Sequence, residues 1–289
     1  MKKITFLDLF STKKAISKAL NISSKSVKFV DVIYGGMSNK TYLFEADKKK
    51  YVSHIATKGY DLFLKRNAEK NAFQVLGTPD YIQKPVYLSD KVRVFEYCDG
   101  TSMNNMSYSR YYKEIAETFH KLHDSNKLFE YDYKPLEYLE SMKNLLKLEL
   151  NPLFYESMDL LNKNRTLLES RKLYPCHNDL QPSNLVMDSN NKITILDFEF
   201  AKNNDYLFDI ATFGNLDFED SINLIKYYDP NYTDEDIFVL KLWRICVNCI
   251  WYTIALKKKE LGYDKKLKMD FNEVGLFFLN HNRDIIDSI

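Results

Sequence analysis

The 289-residue sequence has few of the features that mark secreted or membrane proteins. It contains only four cysteines, too few and too scattered for a disulfide framework in a chain of this size. The longest apolar run, residues 245–256, contains Asn248 and is shorter than the roughly 18 residues that a membrane-spanning helix needs. Asp8 interrupts the apolar N-terminal stretch, so that stretch is not a signal peptide. We therefore expect a protein of the reducing cytoplasm without membrane insertion.

Neither sign of charge predominates. The 41 basic and 40 acidic residues give a formal net charge of +1. Such a balance offers no electrostatic basis for binding nucleic acid or an anionic membrane. The composition therefore points to neither partner, and it gives no indication of oligomeric state.

Glycine and proline are also scarce, at 8 and 7 residues. No linker rich in them, no repeat and no low-complexity segment divides the chain, so a domain boundary has to be found in a change of pattern. Alternating apolar residues predict strands at 27–34, 41–46 and 51–56 and a hairpin at 85–97, whereas residues 60–77 and most of the chain beyond Gly100 have helical periodicity. The change near residues 98–100 predicts an α+β fold with an antiparallel sheet lobe, residues 1–98, and a mainly helical lobe, residues 99–289.

Cys246 and Cys249 have the spacing of a zinc or redox half-site. They lie in an apolar stretch that predicts a buried helix, and the sequence supplies no second pair to complete tetrahedral ligation. We interpret them as small core residues.

The most informative passage runs from His177 to Asn184 and continues, after a polar turn, into residues 193–200. It provides Asp179, Asn184 five residues later and Asp197 on the next strand. Magnesium-dependent phosphoryl transfer needs this combination: one carboxylate orients the attacking hydroxyl, and the other oxygen ligands hold Mg²⁺ against the phosphates. Any one of these residues alone could be a turn or cap residue, but together they predict a catalytic site.

The local pattern predicts how these carboxylates are presented. Residues 185–187 and 193–200 form a predicted hairpin across a polar turn. By the two-residue period of a strand, Asp197 and Glu199 share one face, roughly 6.6 Å apart along the strand. We therefore expect both carboxylates to emerge together from a continuous strand.

The pattern HxDxxxxN followed by a strand ending in Asp resembles the protein-kinase-like superfamily. Asn178 replaces the usual Arg, Phe198 and Glu199 replace Phe-Gly, and the glycine-rich loop and the Ala-Pro-Glu element of protein kinases are absent from the sequence. What remains, with Phe208-Asp209-Ile210 further on, is similar to the choline and ethanolamine kinases and the related aminoglycoside phosphotransferases. The resemblance covers most of the chain. It implies a two-lobed kinase-like fold, ATP in the cleft, Mg²⁺ on Asn184 and Asp197, and Asp179 as catalytic base.

The same resemblance suggests the nucleotide-binding residues. Small and polar residues in the loop 35–39, including Ser38 and Asn39, would let backbone N–H groups approach phosphate oxygens. Taken by itself, however, this loop is better explained as a plain hairpin turn. Residues 95–99, with Phe95, Glu96 and Tyr97 at their start, resemble the hinge whose backbone would bond the adenine edge.

One position departs from the family. Glu69 matches the glutamate that pairs with a basic residue of the third strand, where the family usually has Lys or Arg, but this sequence has His54. Histidine is only partly charged near neutral pH and is a weaker phosphate ligand than arginine. Either protonated His54 acts beside Glu69, or another cation substitutes, or activity is reduced, and His54 could also be an incidental strand residue. The candidate substitutes are Lys58, Lys65 and Arg66.

Substrate recognition is expected near the C-terminal helices. Choline is a quaternary ammonium that donates no hydrogen bond, so it needs aromatic faces and nearby carboxylates. The resemblance assigns Trp251, Tyr252 and Asp217 to its pocket, with Gln181 and Glu199 from the catalytic segments. The family's Trp-x-x-Trp pattern is broken by Asn248, an amide that would suit ethanolamine. Other aromatic residues could supply the missing wall, among them Phe271, Tyr206 and Trp243.

The sequence therefore predicts an ATP- and Mg²⁺-dependent kinase that phosphorylates the hydroxyl of a small amino alcohol, with choline first. Ethanolamine, thiamine, an aminoglycoside or a methylthio-sugar are alternative acceptors. Because His54 replaces the basic residue, a nucleotide-binding pseudoenzyme is an alternative of another class. The intact set of Asp179, Asn184 and Asp197 argues against that alternative.

Overall fold

The computed structural model describes residues 5–34, 39–56 and 66–289, apart from the side chains of Arg66 and Lys266. Ser38, Lys58 and Lys65 of the predicted nucleotide site lie outside these described residues, as does the Arg66 side chain.

A five-stranded antiparallel sheet forms the N-terminal part. Its elements are α1 (Phe6–Leu20), β1 (Lys28–Ile33), β2 (Asn39–Ala46), β3 (Lys49–Ala56), α2 (Arg66–Leu76), β4 (Pro85–Leu88) and β5 (Val92–Glu96). The strand order is β1-β2-β3-β5-β4, so β5 lies beside β3. The predicted strands are all present, and the helix predicted at 60–77 is present as α2 over the residues described.

Two local features explain this part of the fold. Asp47 and Lys48 both have positive φ, 48° and 60°, which produces the tight two-residue turn between β2 and β3. Helix α1, which was not predicted, begins with Thr5 accepting a hydrogen bond from the Asp8 N–H. It packs Ile16 against the sheet residues Tyr42 and Phe44, all buried. Burial of this apolar face stabilises the helix more than its intrinsic propensity does.

The rest of the chain is mainly helical, as predicted. Its helices are α3 (Tyr112–His123), α4 (Pro135–Leu145), α5 (Pro152–Lys163), α6 (Arg165–Glu169), α7 (Tyr206–Phe213), α8 (Phe218–Tyr228), α9 (Asp234–Glu260), α10 (Tyr263–Leu267) and α11 (Phe271–Ile286). Two small antiparallel sheets join them, one of β7 (Tyr174–Cys176) with β10 (Lys202–Asn204), the other of β6 (Thr101–Ser102), β8 (Leu185–Met187) and β9 (Ile193–Ile195). The catalytic segments connect the strands of these two sheets.

Helix α9 is the central helix of this part. It begins at a capping box formed by Thr233 and Asp236. It is long and apolar enough to cross a membrane, but 78% of its most apolar window is buried within the protein, as in a core helix. Cys246 and Cys249 are fully buried on it, and all four cysteines of the chain are free thiols.

Candidate active site

The loop between β7 and β8 holds Asp179 and Asn184 against each other. The Asn184 Nδ2 donates to the Asp179 carbonyl at 2.8 Å and to its Oδ2 at 2.9 Å. Gln181 Nε2 donates to the same Oδ2 at 3.3 Å. Because Nδ2 of Asn184 faces Asp179, the amide oxygen of Asn184 points away and is available as a metal ligand. Burial and the charge of Glu199 raise the pKa of Asp179, which makes it a better proton acceptor.

Asp209, on α7, fixes the backbone of this loop. Its fully buried carboxylate accepts from the His177 N–H at 2.8 Å and from the Asn178 N–H at 2.6 Å. His123 contributes a third contact, with Nε2 at 3.0 Å. Hydrogen bonds to a charged acceptor are the stronger kind. Asp209 therefore positions the residues immediately before Asp179.

His177 braces the loop through both nitrogens of its ring. Its Nε2 donates to the Leu196 carbonyl at 2.8 Å, and its Nδ1 accepts from the Asp179 N–H at 3.2 Å. Burial lowers the pKa of His177, which keeps the ring in this neutral form. The ring thus ties the catalytic loop to the segment that carries Asp197.

Asn178 makes a second link between the two segments. Its φ of 64° is left-handed, a conformation that Asn tolerates better than most residues. Its Nδ2 donates to the carbonyls of Phe200 at 3.1 Å and Lys202 at 3.0 Å. Asn204 Nδ2 donates to its Oδ1 at 2.8 Å. These bonds give a structural reason for Asn at a position where protein kinases have Arg.

Asp197 does not lie on a continuous strand, contrary to the expectation. Strand β9 ends at Ile195, Asp197 adopts φ 59° and ψ 64°, and residues Phe198–Phe200 form a 3₁₀ turn. The predicted alternation of Asp197 and Glu199 on one strand face was therefore wrong. A left-handed aspartate at this point is strained, and such strain concentrates at functional sites.

The carboxylates nevertheless converge, through the turn. The charges of Glu199 and Asp179 raise the pKa of Asp197, in addition to the larger effect of burial. Among the described residues the buried Oδ1 of Asp197 has no hydrogen-bond partner. An orphaned buried carboxylate oxygen beside other carboxylates fits a hard divalent cation. Asp197, with the amide oxygen of Asn184, is thus suited to hold Mg²⁺.

A cation that pairs with Glu69 lies on β5, outside the third strand. Arg93, on β5, donates through Nη1 to both oxygens of Glu69 at 3.0 and 2.9 Å, and to Glu199 Oε2 at 3.2 Å. Its Nη2 donates to Asn39 Oδ1 at 2.8 Å. Burial opposes the charge of Arg93, but Glu69 and Glu199 raise its pKa above the ordinary value. The guanidinium therefore stays protonated in a buried site.

This cluster also changes the expected roles of neighbouring residues. Glu199, expected beside the substrate, contacts Arg93, and Asn39 Nδ2 donates to Glu199 Oε2 at 3.1 Å. His54 lies beside Arg93 on the adjacent strand, with its ring 5.5 Å from that of Phe95. Phe95 itself is fully buried. His54, Arg93 and Phe95 therefore lie on one face of the sheet.

The hinge backbone is partly occupied by the sheet. The Glu96 N–H donates to the Lys84 carbonyl at 2.9 Å, and the Tyr97 N–H donates to the Lys50 carbonyl at 3.0 Å. The Glu96 carbonyl accepts from Gln83 Nε2 at 3.1 Å. The amide N–H groups of Glu96 and Tyr97 are therefore used within the protein.

A pocket of about 260 Å³ opens beside Asp179. Four of its lining residues are aromatic, and Asp179 is the acidic residue among those lining it in the described part of the chain. Its aromatic walls are Tyr133, Phe200, Phe208 and Trp251. Trp251 was expected here, whereas the other three were not predicted.

Three other predicted pocket residues lie elsewhere. Tyr252 faces away from the pocket, is buried against Phe154, and accepts the Asn151 N–H at 2.9 Å. Asp217 is exposed and caps α8 by accepting the Glu219 N–H. Asn248 is fully buried and bonds Arg244 and Asn282. None of these three lines the aromatic pocket, and the alternatives Phe271, Tyr206 and Trp243 do not line it either.

A polar chain connects the interior of α9 to the catalytic carboxylate. Arg244 is buried, with four neutral oxygen acceptors that include both the backbone and side-chain oxygens of Asn215. Burial lowers its pKa to about 9. Asn215 Nδ2 donates to Gln181 Oε1 at 3.0 Å, and Gln181 in turn donates to Asp179. Gln181, expected at the substrate, therefore orients the catalytic carboxylate.

The arrangement can be compared with known proteins. Residues 30–243 match the model of the phosphotransferase enzyme family, and no curated protein sequence matches the chain. The choline kinase LicA of Streptococcus pneumoniae is similar in structure, with 20% identity, a TM-score of 0.81 and coverage of 99% of this chain and 100% of LicA. A choline/ethanolamine kinase family protein of Mesorhizobium loti has 18% identity, a TM-score of 0.75 and coverage of 96% and 95%. The GDP complex of wild-type aminoglycoside 2'-phosphotransferase-IIIa has 13% identity, a TM-score of 0.66 and coverage of 98% and 100%.

These structural likenesses confirm the two-part, kinase-like fold. The family model covers most of the chain and both catalytic segments, from the first strand to the middle of α9. The chain therefore belongs to the phosphotransferase enzyme family and has the fold of the small-molecule kinases.

Proposed function

We propose that this protein transfers the γ-phosphoryl group of ATP to the hydroxyl of a small amino alcohol, with choline as the leading acceptor. The observation that carries the proposal is the aromatic pocket next to Asp179. Tyr133, Phe200, Phe208 and Trp251 offer π faces to a quaternary ammonium, each contact worth about 0.5–2 kcal/mol. The hydroxyl of the same molecule would then lie at the catalytic carboxylate.

The charge of the pocket favours this acceptor over an aminoglycoside. A polycationic sugar needs several carboxylates, whereas the described lining provides only Asp179. Ethanolamine fits less well than choline, because Asn248, the amide that would have accepted its ammonium protons, is buried elsewhere.

In this mechanism Asp179 accepts the proton of the acceptor hydroxyl as the oxygen attacks the γ-phosphorus. Asn184 and Gln181 hold the carboxylate in position, and the raised pKa of Asp179 suits a general base. Asn184 and Asp197 would hold Mg²⁺, and the bound ion would supply positive charge to neutralise the phosphates.

We place the nucleotide between the lobes formed by residues 1–98 and 99–289. Because the N–H groups of Glu96 and Tyr97 bond within the sheet, the adenine edge would lie against the backbone that follows, at Cys98 and Asp99. Phe95 would close the inner end of the adenine site. The structural similarity to LicA supports this placement, because LicA has been solved in complex with AMP.

A nucleotide-binding module without catalysis is the second candidate, motivated by His54 at the third-strand position. The buried Arg93 weakens that motive, because a permanently charged residue already faces Glu69. The orphaned Oδ1 of Asp197 is also a feature that a site without metal would have no physical reason to keep.

The test is a phosphorylation screen with MgATP and choline, ethanolamine, thiamine or an aminoglycoside as acceptor. We expect choline to have the highest kcat/KM and Asp179→Asn to abolish turnover while MgATP still binds. Activity on an aminoglycoside alone would refute the acceptor assignment. Nucleotide binding with no phosphorylated product from any acceptor would favour the module.

A further inference from the structure

The position of Arg93 suggests a function beyond bracing the fold. His54 and Arg93 are directly opposite each other in the β3–β5 pairing. Directly opposed residues of an antiparallel pair project from the same face with Cβ atoms about 4.5–5.5 Å apart. Arg93 therefore projects from the same patch of sheet as the third-strand residue, one strand further over.

The contacts of Arg93 join the three segments that surround the predicted phosphate site. Glu69 comes from α2, Asn39 is the first residue of β2, and Glu199 follows Asp197 by two residues. The charge of Arg93 partly offsets the rise in the pKa of Asp197, so the guanidinium lies within electrostatic range of the metal ligand. A cation at this junction is placed for both the metal and the phosphates.

The guanidinium retains unused donors. Its bonds to Glu69, Glu199 and Asn39 require both N–H groups of Nη1 and one of Nη2. Arginine has five N–H donors in a planar fork, which leaves one on Nη2 and the Nε–H for a further acceptor. A phosphate oxygen is the acceptor for which arginine is best suited.

We propose that Arg93 is the phosphate-binding residue of the nucleotide site, and that it replaces on β5 the cation that the family carries on the third strand. This inference rests on the proposed function, because it requires a nucleoside di- or triphosphate in the cleft. Glu69 and Glu199 hold the guanidinium in place, and its unused donors bind an α- or β-phosphate oxygen. With Arg93 in this role the third strand does not need to supply a cation, which explains how histidine is tolerated at position 54.

The experiment measures the affinity of the purified full chain for MgADP and for adenosine by titration calorimetry. Loss of a charge-assisted bond costs about 1.5–3 kcal/mol, so Arg93→Met should weaken MgADP on the order of 10- to 100-fold and leave adenosine unchanged. Lys91→Met is the matched control, since Lys91 is exposed in the same hairpin and the substitution removes the same charge. Arg93→Lys, which keeps a cation beside Glu69 and Glu199, should fold and should weaken MgADP less than Arg93→Met does.

The opposed pairing permits a rescue. In the double variant His54→Lys/Arg93→Met, the cation is moved to β3, and we expect MgADP affinity to recover at least tenfold over Arg93→Met. A purely structural Arg93 would lower MgADP and adenosine affinity together and would overturn the proposal, as would wild-type affinity in both Arg93 variants. If the wild type binds no MgADP, the proposed function fails as well, so the two failures are distinguishable.

Discussion

Replacing Asp209 by asparagine should damage catalysis from a position that does not contact the reacting groups. The carboxylate accepts the N–H groups of His177 and Asn178 at 2.8 and 2.6 Å, with His123 Nε2 at 3.0 Å. Asparagine keeps one acceptor oxygen but directs an NH₂ group at the remaining donors. At least one backbone N–H in a buried site then loses its partner.

The loss of stability in Asp209→Asn can be calculated from these contacts. A hydrogen bond to a charged group contributes about 1.5–3 kcal/mol, and a buried N–H left unsatisfied costs about 1–3 kcal/mol. The expected loss is about 3–5 kcal/mol in the free energy of unfolding. Since 1 kcal/mol shifts the Tm of a chain of 150–250 residues by about 2–4 °C, we expect Tm to fall by about 6–20 °C.

Activity should fall even where the variant is fully folded. His177 and Asn178 directly precede Asp179, so a shift of their backbone moves the catalytic carboxylate. A displacement of about 1 Å in a reacting group can cost about 100-fold in rate. We expect kcat to fall by that order at 15 °C, with a smaller change in the KM for MgATP.

Glu260→Gln provides the matched control. Glu260 also accepts two successive backbone N–H groups, those of Lys147 and Leu148, but at the end of α9 and outside the pocket. The Tm of the Glu260→Gln variant should fall while its kcat stays unchanged. If Asp209→Asn loses stability but keeps full kcat, Asp209 does not position the catalytic loop. If its Tm does not fall either, the hydrogen-bond energies assumed for it are wrong.

Three further results are expected. Trp251→Ala should raise the KM for choline about 10- to 30-fold, because it removes a cation–π contact worth up to about 2 kcal/mol. Tyr252→Phe is the control and should leave this KM unchanged, because Tyr252 faces α5. Equal effects of the two substitutions would show that choline does not bind in the pocket beside Trp251. Asn248→Leu should lower Tm because Arg244 loses a buried hydrogen-bond acceptor, and it should not change which substrate is preferred. A changed substrate preference would show that Asn248 contributes to the substrate pocket. Asp197→Asn should raise the Mg²⁺ concentration needed for half-maximal activity by at least 10- to 100-fold, the range for residues that only support metal ligands. An unchanged Mg²⁺ titration would show that Asp197 is not a metal ligand.

The limits of sequence-based prediction are clear at individual residues. Arg93 could have been flagged, since an arginine within the apolar run Val92–Phe95 has to find a partner when buried. Its partners Glu69 and Glu199, however, are 24 and 106 residues away along the chain, and no local sequence pattern identifies them. The positive φ of Asp197 was equally hidden, because the apolar alternation of residues 193–200 is compatible with one unbroken strand.

The sequence by itself determined the chemistry. Asp179, Asn184 and Asp197 lie on two short segments joined by a tight hairpin, so their spacing along the chain largely fixes their arrangement in space. The tertiary structure decided what surrounds them. Which of Trp251 and Tyr252 faces the pocket depends on the rotation of α9, where successive residues differ by about 100°. Which cation meets Glu69 depends on the strand that lies beside β3, and both outcomes result from packing between segments distant in the chain.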